Sequence, residues 1–94
     1  TGDRVPDDIE VQTRRVLDNI GLILGDVGLD YRDVVKTTVF LADIADYPKV
    51  NEIYAAYFGE HPPARSAFQA GALPAGFLIE IEVVAAKRAT EESR

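Results

Sequence analysis

The sequence predicts a two-layer α/β (α+β) sandwich, two helices on one face of a three-stranded sheet, with 1–94 forming one domain. Three observations predict it. Two segments repeat apolar residues at helical spacing. Three others read as strands, the first of them, "DVVKTTVFLA", rich in β-branched residues. The order is helix, strand, helix, strand, strand, and two amphipathic helices suffice to cover one sheet face. A chain of 94 residues buries roughly 65% of the surface its unfolded form exposes, enough for one modest core.

The first helix starts at Asp7, an N-cap with Glu10 as its capping-box partner, after Pro6. Ile9, Val16, Leu17, Ile20, Ile23, Leu24 and Val27 recur on one side, and Gly28 closes the helix in a left-handed conformation. "DVVKTTVFLA" reads as a strand, with Val35, Thr37, Val39 and Leu41 on one face and Val34, Lys36, Thr38 and Phe40 on the other. The second helix runs from Asp46, its N-cap, to Phe58. Pro48 fits only its first turn, and Gly59 ends it. "HPPAR" is a stiff extended linker, because each proline fixes its own φ and disfavours helix in its predecessor. "RSAFQAG" is a strand, "LPAG" a turn, and "FLIEIEVVAAKR" the longest strand. On that last strand Phe77, Ile79, Ile81, Val83 and Ala85 make an apolar face, and Leu78, Glu80, Glu82, Val84 and Ala86 a mixed one. No third helix remains to cover the second sheet face, so another subunit is expected to bury part of it.

Composition removes several function classes. The net charge of −6 lacks the basic patch that phosphate binding requires, so nucleic acid is not expected as a partner. The absence of cysteine excludes disulfides and thiolate chemistry. A lone histidine, His61, excludes a histidine-rich metal site within one chain. No apolar run approaches the roughly 20 residues of a membrane span, so no membrane partner is expected, and no signal peptide is visible; a cytoplasmic protein is expected, any organellar presequence lying outside this chain.

Arg65 is the first candidate for chemistry. Its guanidinium is a rigid fork of donors matching a carboxylate or phosphate, and the proline linker fixes its approach. The alternative is an edge salt bridge. Glu80 and Glu82 share one strand face, where a carboxylate could orient or deprotonate a water; the alternative is a solvent-facing stripe. Asn51 is a poor helix former inside the second helix, either exposed or a hydrogen-bonding group. The tyrosines at 31, 47, 54 and 57 read as packing residues rather than a stacking platform. His61 reads as a loop residue, and no triad or phosphate-loop pattern is present.

Four segments, "DVVKTTVFLAD", "NEIYAAYF", "PPARSAFQ" and "LPAGFLIEIE", are together similar to the RidA/YjgF/YER057c/UK114 family of reactive-intermediate deaminases, over about Gln12 to Ala85. The resemblance implies a chorismate-mutase-like fold assembled as a homotrimer, with sheets forming a central barrel, helices outside and active sites between subunits. It implies hydrolysis of enamines and imines such as 2-aminoacrylate to 2-keto acids and ammonia, without a cofactor. By resemblance, Arg65 holds the substrate carboxylate, Glu80 is associated with the attacking water, and Asn51 lines the pocket. Ala67 stands where many members have a cysteine. The family opens with a β-hairpin bearing an active-site tyrosine, and "TGDRVP" resembles the loop just after it, so the domain is expected to be N-terminally incomplete relative to the family. Two other functions compete: capture of small 2-keto acids without turnover, and a chaperone-like interaction role. Relatives have also been ascribed RNA cleavage, which the negative charge does not favour.

Overall fold

A computed structural model describes residues 8–59, 62–74 and 76–87. Helix α1 spans Ile9–Asp26. Asp8 is its cap, accepting hydrogen bonds from the backbone N–H groups of Glu10 and Val11. The expected cap, Asp7, lies outside the described residues, as do Pro6 and His61. At the other end the Leu29 N–H bonds to the Leu24 carbonyl and the Gly28 N–H to the Gly25 carbonyl. This double closure needs φ of +79° at Gly28, which glycine adopts without strain.

Strand β1, Val34–Leu41, is followed by a 3-10 turn at Ile44–Asp46 and helix α2, Tyr47–Phe58. The expected capping by Asp46 is not realised. Its backbone is already helical and its side chain caps nothing, because Asp43 caps the preceding turn through the Ala45 N–H. Strands β2, Ala64–Gln69, and β3, Ile79–Ala85, complete a mixed sheet of order β2-β1-β3. β1 runs parallel to β2 and antiparallel to β3. The last strand is shorter than the run 77–88 expected, and Phe77, expected on its inner face, precedes it and is exposed.

Leu17, Ile20 and Leu24 of α1 pack with Ile53, Tyr54 and Phe58 of α2 and with Val34. Val39, Leu41, Val50 and Ile79 form a second buried cluster. Both helices therefore cover one sheet face, as the pattern implied. Two local assignments differ. Val35 is the extra residue of a β-bulge between Val34 and Lys36, so Val34 turns into the core and Val35 outward. Ile23 and Val27, expected on the inner stripe of α1, are both 64% exposed. Gln12 and Thr13 take buried places instead. Gln12 donates to the Gly76 carbonyl and accepts from the Leu78 N–H, tying α1 to the chain entering β3. Thr13 donates to the Ile9 carbonyl. Burial there is tolerated because both side chains are satisfied.

Gly21 permits a close approach. The Tyr31 hydroxyl donates to the Leu17 carbonyl at 2.6 Å, in space that a Cβ on Gly21 would occupy. Tyr31 then meets Tyr57 and Phe58 edge-on.

Candidate active site

Strand register decides which candidate residues can meet. Arg65 lies opposite Thr37, and Ala67 opposite Val39. Thr37 and Val39 face the helices and are wholly buried, so Arg65 and Ala67 share the helix-covered face. Glu80 lies opposite Phe40, and Glu82 opposite Thr38. Those positions belong to the other face. Phe40 and Phe68 stack there, ring centroids 6.3 Å apart. Arg65 and Glu80 thus sit on opposite faces of the sheet and on its two outer strands.

Arg65 is half-buried, and its guanidinium carbon lies 4.5 Å from the Tyr54 ring centroid and 5.3 Å from that of Tyr47. Among the described residues no carboxylate pairs with it. Among these residues ring faces, and not an edge salt bridge, hold it. Tyr54 is held in turn: its hydroxyl and that of Thr37 are 2.8 Å apart, and its ring packs against Phe58 with centroids 4.5 Å apart. Burial raises the Tyr54 pKa above 10.0, with the Thr37 hydrogen bond and the Arg65 charge opposing.

Asn51 is exposed on α2, four residues after Tyr47 and three before Tyr54. Helical spacing puts it on the same stripe as the two rings over which Arg65 lies. Arg65, Ala67 and Asn51 consequently gather at one side of the molecule. Glu80 and Glu82 are exposed, on the face no helix covers.

The tyrosines pack, as expected: Tyr54 is in the core and Tyr31, Tyr47 and Tyr57 lie against it, while Tyr47 and Tyr54 also lie under the Arg65 cation. Their spacing of seven residues, two helical turns, was the available signal. The link from that stripe to Arg65 depends on where the α2-to-β2 connection sets the strand.

A shallow cavity of about 230 Å³ lies along β3, lined by Val16, Pro74, Phe77, Ile79, Glu80 and Ile81. It is apolar and offers no cation for a carboxylate, so it is a poorer candidate than the Arg65 side. No group of three or more metal-ligating side chains occurs among the described residues, and no described helix is long and apolar enough to cross a membrane.

Two helices packed on one face of a mixed three-stranded sheet define an α+β fold. The family model described as Endoribonuclease L-PSP matches residues 1–87, and the chain belongs to this RidA/YjgF family. A RutC family protein of Pyrococcus horikoshii is 52% identical over 87 residues, 93% of this chain and 69% of the relative. A Rattus norvegicus protein named 2-iminobutanoate/2-iminopropanoate deaminase is 49% identical over 85 residues, 90% of this chain and 62% of the relative. The crystal structure of the YjgF gene product of E. coli superposes with a TM-score of 0.85 at 43% identity, covering 93% of this chain and 71% of that one. The chain thus spans between three-fifths and three-quarters of the length of these relatives.

Proposed function

We propose that the protein hydrolyses reactive enamine and imine intermediates of the 2-aminoacrylate and 2-iminopropanoate type, releasing 2-keto acids and ammonia, as a homotrimer with active sites between subunits. The observation that carries this reading is Arg65: a half-buried guanidinium with no carboxylate partner among the described residues, on the same sheet face as Ala67 and over the tyrosine stripe of α2 that also bears Asn51. A fixed cation whose donors no described residue claims fits a substrate carboxylate. The name carried by the rat relative, and by relatives in other mammals, supports the reaction class.

In this reading Arg65 holds the carboxylate and so fixes the imine carbon. A water, its proton accepted by Glu80, adds to that carbon. The resulting carbinolamine collapses, the C–N bond breaks, and the nitrogen leaves as ammonia after accepting a proton. An enamine enters the same course once protonated at its β-carbon. Because Arg65 and Glu80 of one chain sit on opposite faces, a site using both takes Glu80 from a neighbouring copy. The exposed apolar groups on the open face, Phe68 and Val84, supply the contact surface such an assembly needs.

The test is imine hydrolysis in the full-length protein, with the imine generated freshly and ammonia release followed. Release no faster than in buffer would overturn the proposal. Co-assembly of Arg65→Ala with Glu80→Gln sharpens it, since a shared site recovers part of the activity each variant lacks alone. A second reading, 2-keto acid capture without turnover, draws support from the separation of Arg65 and Glu80 within one chain. Its signature is tight 2-keto acid binding with no acceleration of imine loss.

A further inference from the structure

The Arg65 guanidinium has no ion pair among the described residues to set its orientation. What touches it is aromatic: Tyr54 at 4.5 Å and Tyr47 at 5.3 Å, both within the roughly 6 Å reach of a cation–π contact. These rings do not hang free. Tyr54 is 2% exposed and hydrogen-bonded to Thr37, which is 0% exposed. Tyr47 packs against the cluster around Val39 and Leu41. The rings are thus part of the core, and the cation over them inherits their rigidity. A guanidinium carbon held over rings leaves N–H donors that can meet a carboxylate acceptor.

We propose that Tyr54, with Tyr47, is a positioning residue: the two rings hold the Arg65 guanidinium so that its N–H edge meets the carboxylate of a planar 2-oxo or 2-imino acid. This rests on Arg65 being the carboxylate clamp. Tyr54 does not touch substrate; it acts through Arg65. Its phenol stays protonated at neutral pH, because burial raises its pKa, so it contributes a ring face and not a phenolate.

The experiment uses the full-length protein and two readouts. One is binding of 2-oxobutanoate by calorimetry. The other is rotation about the Arg65 Cζ–Nε bond by NMR, which needs no ligand. Tyr54→Leu is expected to weaken 2-oxobutanoate binding about 5- to 30-fold and to speed the rotation. Tyr54→Phe, which keeps the ring, is expected to stay within about threefold of the wild type in both. A folded Tyr54→Leu protein with unchanged binding and rotation overturns the proposal. If Tyr54→Leu does not fold, half-buried Tyr47→Leu carries the same test, expected to shift both readouts in the same direction; no change in either overturns it. Arg65→Ala separates the two levels. Unaltered 2-oxobutanoate binding in that variant sinks the clamp reading, and with it the ligand half of this proposal. Loss of binding in Arg65→Ala beside wild-type behaviour in Tyr54→Leu sinks the positioning role alone.

Discussion

The two faces of the sheet are made by the same three strands yet obey different rules. On the helix side Thr37, Val39, Leu41 and Ile79 are essentially inaccessible, and the one polar member, Thr37, is paired with Tyr54. On the other side Phe68 is 53% and Val84 57% exposed, beside the carboxylates of Glu80 and Glu82. A stable sheet face needs a cover, and α1 and α2 supply one only. Exposed aromatic and β-branched groups mixed with carboxylates on the bare face are expected of a surface that meets another subunit and also lines a reactive cleft. Arg65 complicates the division. It belongs to the covered face, yet lies at its margin, where Ala67 and the α2 tyrosines leave its cation half-exposed.

The largest effect should come from the bare face. Glu80→Gln keeps the size and removes the basic oxygen, so kcat for imine hydrolysis is expected to fall on the order of 100-fold or more while 2-oxobutanoate binding is kept. Glu82→Gln should do much less. Equal losses in affinity and rate would break the assignment of Glu80 to the water. On the covered face, Leu41→Ala should destabilise the fold by about 2–5 kcal/mol, measured by denaturant unfolding, since a fully buried leucine leaves a cavity. A small change there would mean that the two faces do not differ as described.

Arg65 tests the margin. Arg65→Lys retains charge but loses the two-pronged geometry, and about 2–3 kcal/mol of transition-state stabilisation should go with it, roughly 30- to 150-fold in kcat/KM. Arg65→Ala should be worse. The melting temperature should fall only modestly in either variant, because no ion pair among the described residues is broken and what is weakened is the contact with Tyr47 and Tyr54. A parallel loss of stability and activity would return Arg65 to a structural role. The open face is tested more gently by Val84→Lys. Burying a valine is worth roughly 1.5–3 kcal/mol, so light scattering should show the proposed trimer shifted toward smaller species at micromolar concentration. An unchanged assembly would remove this part of the face from the interface.

The smallest effect concerns the tyrosines between the helices. Burial raises the Tyr31 and Tyr54 pKa values, and a hydrogen bond to Asp18 raises that of Tyr57. With folded values above 10.0, the unfolded chain loses these protons first as pH rises. Their stabilising contribution is therefore complete below the unfolded value and lost as pH climbs through the folded ones. Denaturant unfolding between about pH 8 and 11 should show stability falling at the alkaline end, with a shallower fall in Tyr54→Phe. A flat profile would show that these hydroxyls titrate alike in both states.

The sequence by itself determined the element order, the helix-covered face and the residue types of the site. Each is a matter of period: 3.6 in α1 and α2, 2 in the strands, punctuated by Gly28, Pro48, Pro62 and Pro63. The quoted motifs also pointed to the family that the comparisons show. What pattern could not determine is anything set between elements. A one-residue bulge at Val35 exchanged the faces of Val34 and Val35, because strand register belongs to the pairing and not to either strand. Ile23 and Val27 are exposed although the helical period is right, because β3 and α2 reach only part of the α1 stripe. Gln12 is buried because hydrogen-bond partners on a distant segment satisfy it, and Thr13 because the Ile9 carbonyl of its own helix does. The pairing of Arg65 with Tyr47 and Tyr54, and its separation from Glu80, arise the same way. Which face a strand residue takes, and what stands over it, follows from parallel pairing of β2 and antiparallel pairing of β3 against a common central strand. That arrangement is a property of the packed sheet, fixed by contacts between segments far apart in the chain.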